Sequence, residues 1–297
     1  MASGVVSPPR CEICGAEEIL RLQSSLNVGR CAACGLVSLV TRPTAADLLA
    51  LYSSTSAYEQ YVSAARTDAL DRRYAVALDR LTSLLAGRPG TPVLFDVGAG
   101  AGAFLERAMG RGFDVCGNEV SAPAIQLCYA RLGVRLSDQV VEDQPGKDRF
   151  DAMTMWCVLA HVRDPRDVLA AALRLLKPGG VLCFHTPRWC AIDDAGLSLA
   201  RLSRGRLSQI TQRRIGPAHM RLYSRSNLAR LVTSVGFEII DLRPRAAYSL
   251  RTEAYLRSLN VPRAARRPVA RGLDVLIDRD LFPRNVLDAY LRKPLAE

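Results

Sequence analysis

Cys11-x2-Cys14 and Cys31-x2-Cys34, with sixteen residues between the pairs, have the spacing of a four-thiolate zinc ribbon. Gly15 and Gly35 directly follow the second cysteine of each pair and permit the tight turns that aim backbone N–H groups at sulfur. Four thiolates leave no open coordination position, so an ion held there would secure the fold rather than activate water. A segment of about forty residues buries too little surface to fold alone, whereas structural zinc supplies on the order of 10 kcal/mol. A reduced, metal-free segment is the alternative. Cys116, Cys128, Cys157, Cys183 and Cys190 show no such spacing and read as buried thiols, with Cys157 also a candidate to line a site.

A second constellation lies in TPVLFDVGAGAGAFLERA, Thr91 to Ala108, where an apolar run breaks into three glycines and resumes as a helix. Gly98, Gly100 and Gly102 remove every Cβ from a strand-to-helix turn that a ligand must approach closely. The spacing fits the dinucleotide fingerprint, with Ala103 in the last small position. Glu119, twenty-one residues beyond Gly98 at the end of the next strand, is placed to accept hydrogen bonds from ribose hydroxyls. On spacing alone a nicotinamide dinucleotide and S-adenosylmethionine serve equally well, and a tight turn without a ligand is the remaining alternative.

These groups need elements to hold them. Apolar positions at steps of three and four from Ser56 to Leu85 predict one or two helices with one face inward, on which Tyr58 and Tyr61 are either core or a lid over the cofactor. Strand and helix then alternate, the mark of a mainly parallel sheet with helices on its faces. The strands are Val93 to Val97, FDVCGNE, FDAMTMW ending at Trp156, VLCFHT after an LKPGG turn, FEIIDL and NVLDAYL. Ser121, Asp164 and Ser224 are helix caps, Pro165 sits at a first helical position, and Gly133 and Gly236 are stops. The organisation is a zinc ribbon at 1–42, a helical linker or lid at 43–90, and an α/β domain at 91–297.

The chain has 297 residues, 49% of them hydrophobic, and a formal net charge of +11. Two segments carry more than that total. Between Arg201 and Arg221 there are six arginines and no acid, and between Arg243 and Arg271 eight arginines against Glu253. They lie in Arg-rich insertions at about 190–221 and 243–284. Such charge suits an anionic partner; a solvated helical face or a homodimer rim is the plainer reading. No span approaches the ~18 apolar residues of a membrane helix, and MASGVVSPPR lacks the apolar core of a secretory signal, so a cytoplasmic location is expected.

As a set, LFDVGAGAGAFL, VCGNEVS, FDAMTMWCVLAHVRDP, LRLLKPGGVLCFHTP and GPAHMRLYSRSNLARLVTSVGFEII resemble the class I S-adenosylmethionine-dependent methyltransferases over residues 91 to 243. The resemblance implies a Rossmann-like α/β fold with a seven-stranded sheet, the last strand antiparallel. It places Asp96, Gly98, Gly100, Gly102 and Glu119 at the cofactor, Asp138 at the adenine edge, and Trp156 and Cys157 where methyl donor meets acceptor. His161 and His219 fall on the substrate side as candidate general bases, each with a purely packing role as the alternative, while His185 reads as structural. Where the family usually shows LEH this chain has Leu159, Ala160 and His161, so any role of that glutamate is in doubt. A zinc ribbon ahead of this fold resembles sugar and natural-product modifying enzymes, including deoxysugar C-methyltransferases, although a further motif of the latter is absent.

The expected function is methyl transfer to a small, anionic acceptor, such as the hydroxyl of a sugar, nucleotide-sugar or secondary metabolite. In-line displacement at a sulfonium needs mainly near-attack geometry in a dry site, plus a base for a hydroxyl acceptor. RNA methylation, which the basic charge suits, ranks lower as the second enzyme reading. A degenerate, non-catalytic binding module is the third reading, with Ala160 its best support.

Overall fold

The computed structural model describes residues 10–23, 26–44, 46–48, 50, 67–216, 219–246, 252–279 and 281–295. Tyr58 and Tyr61, the candidate lid, lie outside the described residues. At the amino-terminal end Ile19–Arg21 (β1), Val28–Cys31 (β2) and Val37–Leu39 (β3) form an antiparallel meander. Its fourth strand arrives from far along the chain: Arg221–Leu222 (β8) pairs with β3 in the register Val37↔Leu222 and Ser38↔Arg221. The cysteine-bearing segment is therefore not a separate body. Cys11, Ile13, Cys31 and Leu36 share one apolar cluster with Leu159, Tyr223 and Leu228 of the larger domain.

Thr67–Leu84 (α1) precedes the main sheet, as the helical periodicity predicts, and turns Tyr74, Leu78 and Leu81 into a core shared with Phe104 and Leu105. Each fully buried leucine contributes about 1.5–3 kcal/mol relative to exposure. The main sheet then runs Val93–Val97 (β4), Ala103–Met109 (α2), Asp114–Asn118 (β5), Ala122–Leu132 (α3), Phe150–Trp156 (β6), Pro165–Leu175 (α4) and Leu176–Pro187 (β7). Ala191–Leu202 (α5) and Gln209–Arg214 (α6) lead to β8. Arg225–Val235 (α7), Glu238–Arg245 (β9), Thr252–Ser258 (α8), Arg263–Asp278 (α9) and Val286–Arg292 (β10) complete the chain.

The strand order is β5-β4-β6-β7-β10-β9, parallel except for β10, which runs antiparallel to both neighbours. Among the described residues that gives six strands rather than the seven expected. The missing third strand shrinks to one bridge, Asn118↔Ser137, because the chain turns at once: Gln139 N–H donates to Ser137 Oγ at 3.3 Å and a short 3-10 turn, Val141–Asp143, follows. LKPGG also departs from its expected role as a turn. It is the first part of the twelve-residue β7, and the irregularity is absorbed as a register shift against β6 between Phe150 and Ala152.

Of the three expected helix caps two act through their side chains; Ser121 stands at the N-cap of α3 but its hydroxyl makes no capping bond. Asp164 accepts from the Arg166 and Asp167 N–H groups at 2.8 and 3.4 Å, with Pro165 opening α4. Ser224 and Asn227 form a reciprocal capping box on α7. None of the described helices is long and apolar enough to cross a membrane.

Candidate active site

β4 and β6 are adjacent and parallel, so the loops leaving their carboxyl ends meet over one edge of the sheet. Gly98, Gly100 and Gly102 take φ of 67°, 55° and 78°, in the left-handed region that β-carbon residues rarely adopt. A Cβ on Gly98 would stand 3.0 Å from Val158 Cγ2, and one on Gly102 would stand 2.7 Å from Cys128 Sγ and from Leu132 Cδ1. The missing side chains thus let this loop nestle between α3 and the loop after β6.

Glu119 closes the turn from one strand over. Its Oε2 accepts from Gly100 N–H and its Oε1 from Ser121 N–H, both at 2.9 Å. A carboxylate oxygen has two lone pairs, so each still has a position for a ligand hydroxyl. Asn118 Oδ1 and Ser121 Oγ are buried on either side without a hydrogen-bond partner among the described residues. A polar ligand lying on Glu119 would satisfy such atoms. The cradle therefore fits the ribose end of an adenosyl cofactor.

Asp96 is placed differently from the other members of the motif. It is only 1% exposed and receives the Thr154 hydroxyl at 2.6 Å. Burial pushes its carboxyl up to about 8, Thr154 opposes this, and the Glu119 charge adds to it. Asp96 is thus an internal residue of β4, tied to Thr154 across the sheet two residues before the glycine turn. No motif singles out Thr154; the signal it carries is a hydroxyl inside a buried strand, which needs a partner, and the Asp96↔Thr154 register supplies one.

The carboxyl end of β6 carries the remaining candidates. Trp156 packs against Tyr74 and Phe104 at ring distances of 4.7 and 4.8 Å and lies 5.6 Å from the ring of His185. Its Nε1 is buried without a partner among the described residues. Arg73 of α1 lies 5.8 Å from the Trp156 ring and is held by Asp288 of β10 at 2.5 Å. No sequence signal links residues so far apart. Cys157 has φ +66°, and its Sγ lies 3.6 Å from His161 Nε2 and 3.5 Å from His219 Nε2. The two imidazoles meet edge to face, 4.6 Å between centroids.

Burial pushes both imidazoles down, His161 well below its usual value with His219 and Arg221 adding to it, and His219 to about 4 with help from Arg214. Burial likewise raises the Cys157 thiol to about 11 against the opposing charges of Arg73 and Arg214. At neutral pH the cluster is two neutral imidazoles and a thiol. His185 stays in β7, paired with Trp156 on one side and Asp288 on the other, and its carbonyl accepts the Cys157 N–H at 3.2 Å. Asp138 sits exposed on the turn after the Ser137 bridge. Ala160 is fully buried and its carbonyl accepts Met220 N–H at 2.9 Å, so a glutamate here would bury a charge. Its small side chain is a packing choice.

The four ribbon cysteines converge as their spacing predicts. Cys11 and Cys34 sulfurs are 3.5 Å apart, as are those of Cys14 and Cys31, and all four lie within 4.8 Å of one another. Tetrahedral zinc with bonds of about 2.3 Å sets sulfurs about 3.8 Å apart, so the donors fit that ion. Burial would raise the Cys31 thiol, but the Cys34 and Ala33 N–H groups and the neighbouring cysteines outweigh it and bring it to about 7. Next to this cluster Glu12 accepts from Arg42 Nη1 at 2.5 Å and from Arg221 Nη2 at 3.0 Å. Arg221 also donates to the Val162 and Arg163 carbonyls, tying the ribbon to the loop that carries His161.

Half of the arginines in the first basic segment serve the protein itself. Arg201 binds the Leu22 carbonyl, Arg214 binds Asp193 at 2.8 Å, and Arg221 binds Glu12. In the second segment Arg257, Arg263, Arg266 and Arg267 line a surface recess of ≈ 480 Å³ with Glu253.

With this geometry in place, comparison with known proteins is decisive about the fold's family. A family model described as a methyltransferase domain matches residues 69–242, more than half of the chain. The chain belongs to this methyltransferase family. Its class is that of the S-adenosylmethionine-dependent enzymes with a Rossmann-like sheet. The chain is similar to ubiquinone biosynthesis O-methyltransferases: 38% identical over 116 residues to that of Alkalilimnicola ehrlichii, covering 37% of this chain and 47% of the relative. The corresponding protein of Pseudomonas paraeruginosa is 39% identical over 113 residues, covering 34% and 46%. The chain spans about half the length of the curated relatives it matches. Among solved structures, a candidate methyltransferase from Bacillus halodurans superposes with a TM-score of 0.50 at 18% identity, over 73% of this chain and 98% of that one. This last likeness concerns the fold alone.

Proposed function

We propose that this methyltransferase methylates a hydroxyl of a small acceptor, with the acceptor oxygen brought to the Cys157, His161 and His219 cluster. The observation that carries the reading is a glycine cradle at the end of β4, closed by Glu119, packed against Val158 of the loop that leads from the neighbouring β6 through Cys157 to His161, with His219 beside it. The names of the curated relatives support oxygen as the methylated atom.

S-adenosylmethionine, when bound, supplies an electrophilic methyl on a sulfonium. The backbone of Gly98, Gly100 and Gly102 would hold its amino-acid and ribose parts, Glu119 its ribose hydroxyls, and Asp138 the adenine edge. Asp96 and Thr154 join β4, which ends at this turn, to β6. Trp156, with Tyr74 and Phe104, gives an apolar wall that excludes water from the transfer. His161 or His219, unprotonated at neutral pH, takes the acceptor's proton as the new bond forms, although the burial that lowers both makes each a weaker base than an exposed imidazole. The four ribbon cysteines would hold one structural zinc, whose role is to keep Glu12 and Arg221 in place behind the loop of His161.

The acceptor class we favour remains a sugar, nucleotide-sugar or secondary-metabolite hydroxyl. An anionic group on it would suit the Arg257, Arg263, Arg266 and Arg267 recess. Arginines consumed by internal partners weaken the case for RNA. The test combines calorimetry with S-adenosylmethionine and a mass-spectrometric screen of nucleotide-sugars, phenols and RNA. Cofactor binding with a gain of one methyl on a small hydroxyl compound is the expected result. Absence of cofactor binding in zinc-replete protein, or methylation of RNA alone, refutes the proposal.

A further inference from the structure

Cys157, His161 and His219 make a second group of metal-ligating side chains, separate from the ribbon, and their donor atoms all lie within 4.8 Å of one another. For an ion bonded at about 2.3 Å to sulfur and 2.0–2.1 Å to imidazole nitrogen in tetrahedral angles, the sulfur–nitrogen separation is about 3.6 Å. The two separations here are 3.6 and 3.5 Å. The same distances would suit weak S–H···N hydrogen bonds, so geometry needs support from the way the donors are held.

That support is in the backbone. Cys157 keeps φ +66°, a conformation that residues with a β-carbon rarely adopt, directly after the last residue of β6. Its N–H still bonds the His185 carbonyl at 3.2 Å, so the strained residue is anchored rather than frayed. Local strain of this kind clusters at working sites. His161 is fixed by a turn in which its N–H bonds the Val158 carbonyl at 2.8 Å. His219, 62 residues beyond Cys157, is brought in by the Met220 N–H to Ala160 carbonyl bond at 2.9 Å. Arg221 then grips the Val162 and Arg163 carbonyls and Glu12, so both histidine segments are clamped against the ribbon.

We propose that Cys157 Sγ, His161 Nε2 and His219 Nε2 form a three-ligand centre for a divalent transition ion, zinc first, with one coordination position left for an oxygen. One thiolate with two imidazoles selects zinc over magnesium or calcium, which prefer oxygen donors. A site with three protein ligands is of the open, reactive kind, in contrast to the closed Cys11, Cys14, Cys31 and Cys34 set. Loading displaces the thiol proton of Cys157 to solvent. The inference deepens the proposed function, on which its catalytic meaning rests. An acceptor hydroxyl in the fourth position would lose its proton to solvent more readily than in water. The ion would then take over the part assigned to a free imidazole base.

The test uses the full chain, stripped with a chelator, reloaded with zinc and freed of excess metal, with metal content measured by mass spectrometry. Two ions per chain are expected for the wild type, and one for His219→Ala and for Cys157→Gly. The glycine variant removes the sulfur while relieving the positive φ, which protects against a loss caused by misfolding. Cobalt loading adds a spectroscopic readout: a one-thiolate charge-transfer component should vanish in Cys157→Gly while the four-thiolate signal persists. One ion per chain in the wild type, or two retained in both variants, overturns the inference. Cofactor calorimetry on the same samples separates the two ideas. Failure of the wild type to bind S-adenosylmethionine while it holds two ions sinks the methyl-transfer reading and spares the metal centre; binding with a single ion does the reverse.

Discussion

Glu12→Ala would strand one of the most deeply buried charges in the chain. The Arg221 side chain is 0% exposed and that of Glu12 10%. The carboxylate accepts from Arg221 Nη2 at 3.0 Å and from Arg42 Nη1 at 2.5 Å, so a single substitution leaves two guanidiniums facing each other without an anion. Breaking a buried pair by removing one member costs about 3–5 kcal/mol, because the remaining charge keeps its desolvation penalty. Arg221 retains its bonds to the Val162 and Arg163 carbonyls, which relieve part of this, while the less buried Arg42 can turn toward water. The expected loss is therefore about 3 kcal/mol, at the lower end of that range.

The assay is urea unfolding at fixed zinc and salt, run as a double-mutant cycle with Arg221→Met. That second variant leaves two carbonyls short of a donor, at about 1–3 kcal/mol each, so the double variant does not return to wild type. The coupling between the two sites should nevertheless exceed about 1 kcal/mol and change little with added salt, since a buried pair is weakly screened. A loss below about 1 kcal/mol for Glu12→Ala, typical of an exposed pair, would refute the view that this contact clamps the cysteine-bearing segment to the loop that carries His161.

Gly117 lies in β5 opposite Asp96, and a Cβ there would stand 2.5 Å from the Asp96 backbone oxygen, so Gly117→Ala should cost about 3 kcal/mol in urea unfolding by forcing the strands apart. Asp96 titrates at about 8 in the folded chain against 3.8 as its ordinary value. Because the folded state holds that proton more tightly, stability should fall as pH rises from about 4 to 8, by no more than about 5 kcal/mol, and Asp96→Asn should flatten the profile of thermal midpoint against pH. Glu119→Gln cannot accept from both the Gly100 and Ser121 N–H groups through oxygen, and loss of one charge-assisted bond, about 1.5–3 kcal/mol, should weaken S-adenosylmethionine binding at least about tenfold by calorimetry.

Local signals carried much of the fold. The first strand, Val93–Val97, the Asp164 cap, the Ser224 capping box and the Gly133 and Gly236 stops follow from short-range rules that act within one turn or one strand. The cysteine spacing was equally legible, because a metal knuckle is set within four residues. The absence of the third strand was not, since whether residues 133–137 pair along their length or through one bridge depends on a turn at Ser137 that periodicity does not record.

The sequence by itself determined an α/β sheet with a glycine turn at the end of its first strand, a carboxylate one strand over, and two cysteine knuckles ahead of them. Only the tertiary structure decided that Asp96 bonds Thr154 within the buried sheet, that Arg221 locks onto Glu12, and that Cys157, His161 and His219 converge. The physical reason is range. Spacing rules describe groups that share a turn, whereas these contacts join segments up to 209 residues apart, and their partners are chosen by strand order and burial. A buried charge or hydroxyl announces that it needs a partner; which partner it finds is settled when the layers pack.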